Sequence, residues 1–282
     1  MNNPAANRDL SRPRPDFTNA PKVIEVNDLV THYGTRKILK NIDFDVREGE
    51  IMVIMGGSGS GKSTLLNALL GLLRPTSGEV RILGEDITRM SEVEKTLLRR
   101  KIGVAFQGGA LFGSLNVLEN IMLPLREHTR LDVNTMRIMA RLKMQVVNLA
   151  GFEHLMPSEL SGGMIKRAAF ARAVVMDPKI LFCDEPSAGL DPIVASAIDD
   201  LILNLRDAMG MSVVVVTHEL ESTFRIADRI TVLDQGDILM TGTVDEIRSA
   251  KNERIQNLLN RRTETETLDP EEYLKRLTAA ND

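Results

Sequence analysis

The chain has 282 residues, of which 43% are hydrophobic and 26% charged, an ordinary globular composition with room for one large domain and smaller appendages. A formal net charge of −4 argues against a nucleic-acid binder held mainly by its own field, and a single cysteine excludes a disulfide framework. No apolar stretch approaches the roughly 18–20 residues that cross a bilayer, so any work at a membrane requires spans from another chain.

Residues 1–21 combine four prolines with mixed polar residues and lack the apolar core of a signal peptide, which reads as a disordered leader. Val23 to Val26, Ile38 to Val46 and Glu79 to Leu83 are strand-like segments, and they are expected to form an antiparallel layer near the N-terminus. Ile51 to Met55, Ile102 to Phe106, Ile180 to Cys183 and Val213 to Val216 are continuously apolar, as in parallel strands buried on both faces. Cys183 lies inside one of these runs and reads as a small buried hydrophobe. From Gln107 to Pro178 the pattern is mostly helical. Within it, Leu131 to Leu149 carries Met136, Met139, Leu142, Val146 and Leu149 at helical spacing, an expected core stripe. Beyond Lys251 a separate tail is expected. In it Asp269-Pro270-Glu271-Glu272 has the signature of a helix start, and Tyr273, Leu274 and Leu277 give that short helix an apolar face suited to docking.

Residues 56–63, Gly-Gly-Ser-Gly-Ser-Gly-Lys-Ser, match the phosphate-binding loop G-x-x-x-x-G-K-[ST] in full. A strand-like run precedes the loop. Ser63 to Leu73, rich in helix formers and closed by Arg74-Pro75, follows it. Strand, glycine loop and helix together aim backbone N–H groups and a helix dipole at a phosphate. Gly56, Gly57, Ser58, Gly59, Ser60, Gly61, Lys62, Ser63 and Thr64 are therefore the expected nucleotide-binding residues, with Lys62 on the outer phosphates and the Ser63 hydroxyl on Mg²⁺.

Asp184 and Glu185 end the apolar run Ile180 to Cys183, at the strand edge where open α/β sheets bind ligands. Asp184 suits Mg²⁺, and Glu185 suits orienting or deprotonating an attacking water. Ser161 is a good N-cap, and Gly162-Gly163 leave N–H groups open at the start of the next helix, which makes a second anion site. One nucleotide does not need two cradles in one subunit, whereas two copies facing head to tail would use both.

Together these residues resemble the nucleotide-binding subunit of an ABC transporter over about residues 22 to 250. The resemblance implies an α/β fold of the P-loop NTPase class, ABC type. Such a fold has a mostly parallel core sheet, an N-terminal antiparallel β layer and an α-helical subdomain at about 108–178. The ATPase domain would span 22–252, and the tail 253–282. The cofactors implied are ATP and Mg²⁺. Tyr33 falls where the family stacks an aromatic ring on adenine. Gln107 matches the glutamine that links Mg²⁺ and the attacking water to the membrane partner, and His218 resembles the switch histidine on the γ-phosphate. Glu185, His218, Gln107 and Lys62 would then be the catalytic set, and Ser63, Gln107 and Asp184 the metal set. Ser161, Gly162 and Gly163 correspond to the signature that contacts ATP bound by the opposite subunit. Ser187, Ala188, Gly189, Leu190 and Asp191 resemble the loop joining the two sites across the dimer. Met164 stands where the usual signature has Gln, which removes any polar contact of that side chain to the sugar.

The Leu160-Ser161-Gly162-Gly163-Met164 variant, its lead-in Leu155 to Glu159, and the segments from Gly109 to Phe112 and Asn116 to Thr129 look like the ATPase of Mla-type phospholipid transport systems. That likeness implies two copies of the chain on the cytoplasmic face of a bacterial inner membrane, bound to an MlaE-like permease through Leu111 to His128. It also implies periplasmic MCE-domain proteins and, in some systems, a small STAS-domain protein, with no nucleic acid. An ABC ATPase for another cargo is the alternative. A permease-free soluble ABC protein is a further one, but no coiled-coil insertion, zinc module or second cassette is visible.

Overall fold

The computed structural model describes Pro15 and residues 17–260. The strands form two sheets. The first is antiparallel, in the order β2-β1-β4-β5, built from β1 (Lys22–Tyr33), β2 (Arg36–Arg47), β4 (Ser77–Ile82) and the short β5 (Glu85–Asp86). The second has the order β10-β9-β3-β8-β7-β6, from β3 (Ile51–Met55), β6 (Ile102–Ala105), β7 (Ile180–Asp184), β8 (Ser212–Thr217), β9 (Arg229–Asp234) and β10 (Asp237–Thr243). It is parallel throughout except for the β9–β10 hairpin. The expected fold class is therefore the one observed.

Period-two alternation sorts the sheet's side chains into two cores. Ile51, Val53, Met55, Leu181, Cys183, Val213 and Val215 point to the helical side. Met52, Ile54, Ile180, Phe182, Val214 and Val216 point to the antiparallel layer and to α1 (Lys62–Leu69). The helical side holds α3 (Val117–His128), α4 (Val133–Val146), α5 (Gly162–Ala173) and α6 (Pro192–Met209). The remaining helices are α2 (Glu92–Arg99), α7 (Leu220–Ile226), α8 (Val244–Ser249) and α9 (Glu253–Leu259). Among the described residues no helix is long and apolar enough to cross a membrane.

Three expectations are corrected. The helix after the phosphate loop ends at Leu69, ahead of Arg74-Pro75. Gly71 takes a left-handed φ of 63°, its N–H bonds the Ala68 carbonyl, and Leu72 N–H bonds the Asn67 carbonyl, which is a Schellman stop. The run 102–106 is not buried on both faces, because β6 is the sheet edge and Ile102 and Val104 are only half-buried. The α4 stripe is rotated from the expected one. Met136, Ala140 and Met144 face the core against α3 and α5, while Leu142 (55%) and Val146 (47%) are exposed.

Both termini of the described chain attach to this core. Glu48 N–H bonds the Pro21 carbonyl and Arg47 bonds the Ala20 carbonyl, while α9 buries Ile255 completely. The helix expected at 269–277, with Tyr273, Leu274 and Leu277, lies outside the described residues.

Candidate active site

The parallel strands β3, β7 and β8 and the loop after β6 end on one edge, and there they enclose a cleft of 840 Å³. Gly57, Ser58, Gly59, Lys62 and Ser63 line it from the phosphate loop. Gln107, Asp184, Glu185 and His218 line it from the other strand ends. Residues as far apart in the chain as Gly57 and His218 thus meet because a parallel sheet aligns the C-terminal ends of its strands.

The loop's conformation depends on glycine at two places. Gly61 has φ 107° and occupies the N-cap of α1, so no side chain closes the first-turn N–H groups. At Gly56 an added Cβ would lie 2.1 Å from the Leu233 carbonyl oxygen, so the loop passes hard against β9. Ser60 and Thr64 are buried and shape the turn from behind, whereas Lys62 and Ser63 face the cleft. Lys62 Nζ donates to the carbonyls of Gly56 and Gly57, each at 2.8 Å. Burial pushes its pKa down, while Glu185 and Asp184 pull it back up.

Asp184 is the last residue of β7, and burial followed by the neighbouring Glu185 raises its pKa, against Lys166 and Lys62. Glu185 leaves the strand with φ 45°, a left-handed conformation that is uncommon for a residue with a Cβ. Its N–H bonds the Val216 carbonyl at 2.8 Å. Its carboxylate accepts from Thr217 Oγ1 at 2.9 Å and lies 2.8 Å from His218 Nδ1. The same His218 has Nε2 3.4 Å from Glu219 Oε1. Ser63, Gln107 and Asp184 offer one hydroxyl, one amide and one carboxylate to a single cleft, a hard-oxygen donor set that fits Mg²⁺ completed by substrate phosphates. The like-charged pair Asp184 and Glu185 is a further reason a cation fits there.

Other expected site residues are not part of this cleft. Tyr33 ends β1 at the tip of the β1–β2 hairpin, is 53% exposed and is not among the lining residues. Ser161 caps α5 by accepting from Met164 N–H at 3.3 Å, and it is exposed together with Gly162. Leu190 lies under Gly162 and Val194 under Gly163, where an added Cβ would approach to 3.5 and 2.8 Å. Ser187 is buried and bonds Ser222 Oγ at 3.3 Å, Ala188 is half-buried, and Gly189 is exposed with φ 75°. Asp191 caps α6 by accepting from Ile193 and Val194 N–H.

Several residues at the site were not anticipated. Thr217 fixes one carboxylate oxygen of Glu185, and Glu219, Leu220, Asn257 and Leu258 line the cleft. Thr217 could have been found as the polar terminus of an apolar strand run. Nothing local in the sequence places α9 at the cleft.

A family model described as ABC transporter matches residues 39–188. The Intermembrane phospholipid transport system ATP-binding protein MlaF of Haemophilus influenzae is 40% identical over 237 residues, covering 84% of this chain and 90% of that one. The Probable ribonucleotide transport ATP-binding protein mkl of Mycobacterium tuberculosis H37Rv is 38% identical, covering 85% of this chain and 67% of that one. Among solved structures, the dimeric ATP-binding cassette MJ0796 in a post-hydrolysis state with ADP and Pi superposes with a TM-score of 0.73 at 34% identity, over 78% of this chain and 98% of that one.

Proposed function

Because the chain belongs to the ABC transporter family and is an ATPase that works with ATP and Mg²⁺, we propose that it powers an inner-membrane phospholipid transporter through ATP-driven closure of a head-to-tail homodimer. The carrying observation is the grouping of Lys62, Ser63, Gln107, Asp184, Glu185 and His218 around one cleft, while Ser161 and Gly162 stand exposed, and Gly163 half-buried, outside it. Tyr33 would stack on adenine. The loop from Ser187 to Asp191 would meet its counterpart on the second copy. Residues 22–252 would act as the ATPase domain, with the helical subdomain at about 108–178.

The chemistry asked of the protein is positioning and charge stabilisation. Lys62 and the free N–H groups of the α1 N-terminus would hold the phosphates. Ser63, Gln107 and Asp184 would hold Mg²⁺, which supplies neutralisation of phosphate charge when bound. Glu185, fixed at one oxygen by Thr217 and at the other by His218, would orient the attacking water and take its proton. Closure follows when Ser161 to Gly163 of one copy seat on the nucleotide of the other, and hydrolysis releases them.

The cargo reading draws on MlaF, which aligns over 90% of its length and is named for intermembrane phospholipid transport. The mkl relatives, named for probable ribonucleotide transport, align over 67–69% of theirs and favour a second cargo reading. A permease would dock beside Phe112, which is 53% exposed on the loop before α3. Buried Asn120 fixes that loop, accepting from Phe112 N–H at 2.8 Å and donating to the carbonyls of Phe112 and Leu115. An MCE-domain protein would join through the permease, and a STAS-domain protein would complete some assemblies. Co-purification of the tagged chain from its own membrane in mild detergent, with mass spectrometry of companions and lipids, tests this. A permease with an MCE protein and phospholipid is the expected result. A different permease class would leave the ATPase and remove the lipid cargo.

A further inference from the structure

Lys166 lies on α5, one turn beyond Ser161 to Gly163, and it is buried to 7% exposure. Its ammonium donates to two main-chain carbonyls, Gln107 at 2.5 Å and Glu185 at 2.9 Å. Neither acceptor is a carboxylate, so the buried charge is satisfied by dipoles alone at these contacts, a costly arrangement if the only task were to fill space. Burial pushes its pKa down, and Glu185 and Asp184 draw it back up.

Both acceptors belong to groups that must be placed accurately. Glu185 sits at φ 45°, and its peptide is held on the N–H side by Val216 and on the carbonyl side by Lys166. Gln107 opens a loop in which Gly109 and Ala110 are also left-handed, at φ 74° and 48°. Arg172, two turns further along α5, donates to the carbonyls of Gly109 at 2.8 Å and Ala110 at 2.7 Å. Ile165 closes the contact, since a Cβ on Gly109 would come within 2.6 Å of its Cγ2. The loop after β6 thus hangs from α5 at three carbonyls, and only Lys166 also reaches Glu185.

We propose that Lys166 is a positioning residue for hydrolysis: from α5 it holds the main chain of Gln107 and Glu185 in one arrangement, so that seating the α5 N-terminus on a second copy's nucleotide sets the water-activating groups of its own cleft. The inference rests on the roles proposed above for Gln107 and Glu185. It gives each cleft a mechanical link to the opposite one through α5, which carries the trans contact at its start and, one turn later, the Lys166 tether to both Gln107 and Glu185.

Lys166→Met keeps the bulk and removes the donors. In the full-length chain, kcat should fall about 10- to 100-fold, as expected for groups displaced on the scale of an ångström, while the Kd for Mg-ATP stays within about threefold. Lys166→Arg, which keeps charge and donors, should restore kcat to within about fivefold of the native value. In a Glu185→Gln background, Lys166→Met should lower the residual rate by less than about twofold, since both changes act on one group. A Lys166→Met chain that keeps more than about a third of native kcat overturns the proposal, as does one that loses ATP affinity, kcat and melting temperature together with no rescue by Arg. If the Met variant does not fold, Lys166→Leu, which also lacks a donor, carries the same two readings. Normal turnover by Glu185→Gln alone would instead remove the site assignment on which the inference rests.

Discussion

The two ends of the parallel sheet handle buried charge in opposite ways. At the N-terminal ends of β3 and β9, charges are closed off by one another. Arg206 pairs with Asp228 at 3.0 Å, Asp228 also accepts from Ile51 N–H at 2.9 Å, and Arg229 contacts both oxygens of Glu50 at 3.3 Å. At the C-terminal ends, Lys62 and Lys166 donate to carbonyls, Asp184 and Glu185 sit side by side, and the carboxylate of Glu185 is held by a threonine and a histidine. Ion pairs complete within the chain fix a fold. Lysines that hydrogen-bond carbonyls rather than the carboxylates near them, beside two adjacent carboxylates, remain able to act on a ligand. The sheet's polarity therefore separates stability from chemistry, along strands only five or six residues long.

Substitutions at the two ends should separate in the same way. The largest effect is expected for Glu185→Gln, which keeps the shape and removes the base. Turnover should fall by about 10²–10⁴-fold while ATP still binds and closes the dimer, measured as steady-state phosphate release against nucleotide retention. Lys62→Ala comes next. Loss of a charged donor to phosphate should weaken Mg-ATP binding by about 10- to 100-fold in a direct titration, with the melting temperature of the nucleotide-free chain little changed. Equal affinity in that variant would count against the phosphate-loop assignment.

The last effect belongs to the other end and concerns stability and pH rather than nucleotide. Glu50 is fully buried, and burial raises its pKa from 4.5 to about 7 despite Arg229 and the Arg47 N–H. The folded chain thus holds a proton that the unfolded chain releases near pH 4.5, so this contribution is complete below pH 4.5 and is lost as pH rises to about 7. It is worth about 3 kcal/mol at most. Glu50→Gln should flatten the fall in stability across that window in denaturant titrations and leave the ATP Kd unchanged. A slope identical to the native chain's would mean that Glu50 stays ionised throughout.

What the sequence disclosed was local. Gly56 to Ser63 and Asp184-Glu185 could be read because strand, turn and helix signals adjoin them, and the structure brings them into one cleft with Gln107 and His218. Cys183 was legible as a buried hydrophobe for the same reason. Features set by tertiary packing were not legible. The spacing of Met136, Met139, Leu142 and Val146 suits a helix, but the rotation that buries Ala140 and Met144 is set by α3 and α5. Lys166 carries no signal of its own in the sequence, and its contacts with Gln107 and Glu185 arise only because the β6 and β7 ends lie beneath α5. The arrival of Asn257 and Leu258 at the cleft depends on the path of α8 and α9, which carries no motif.

The central claim is that one nucleotide is held between the cleft of one copy and Ser161 to Gly163 of another. Mixing two inactive chains, Lys62→Ala and Ser161→Arg, each in the Glu185→Gln background, tests it directly. A mixed dimer then contains one composite site with both halves intact and one with both halves damaged. The account predicts that the mixture retains ATP, approaching one molecule per mixed dimer, where neither chain alone retains any. If the mixture retains no more than its separate components, the two cradles do not serve one nucleotide across a dimer.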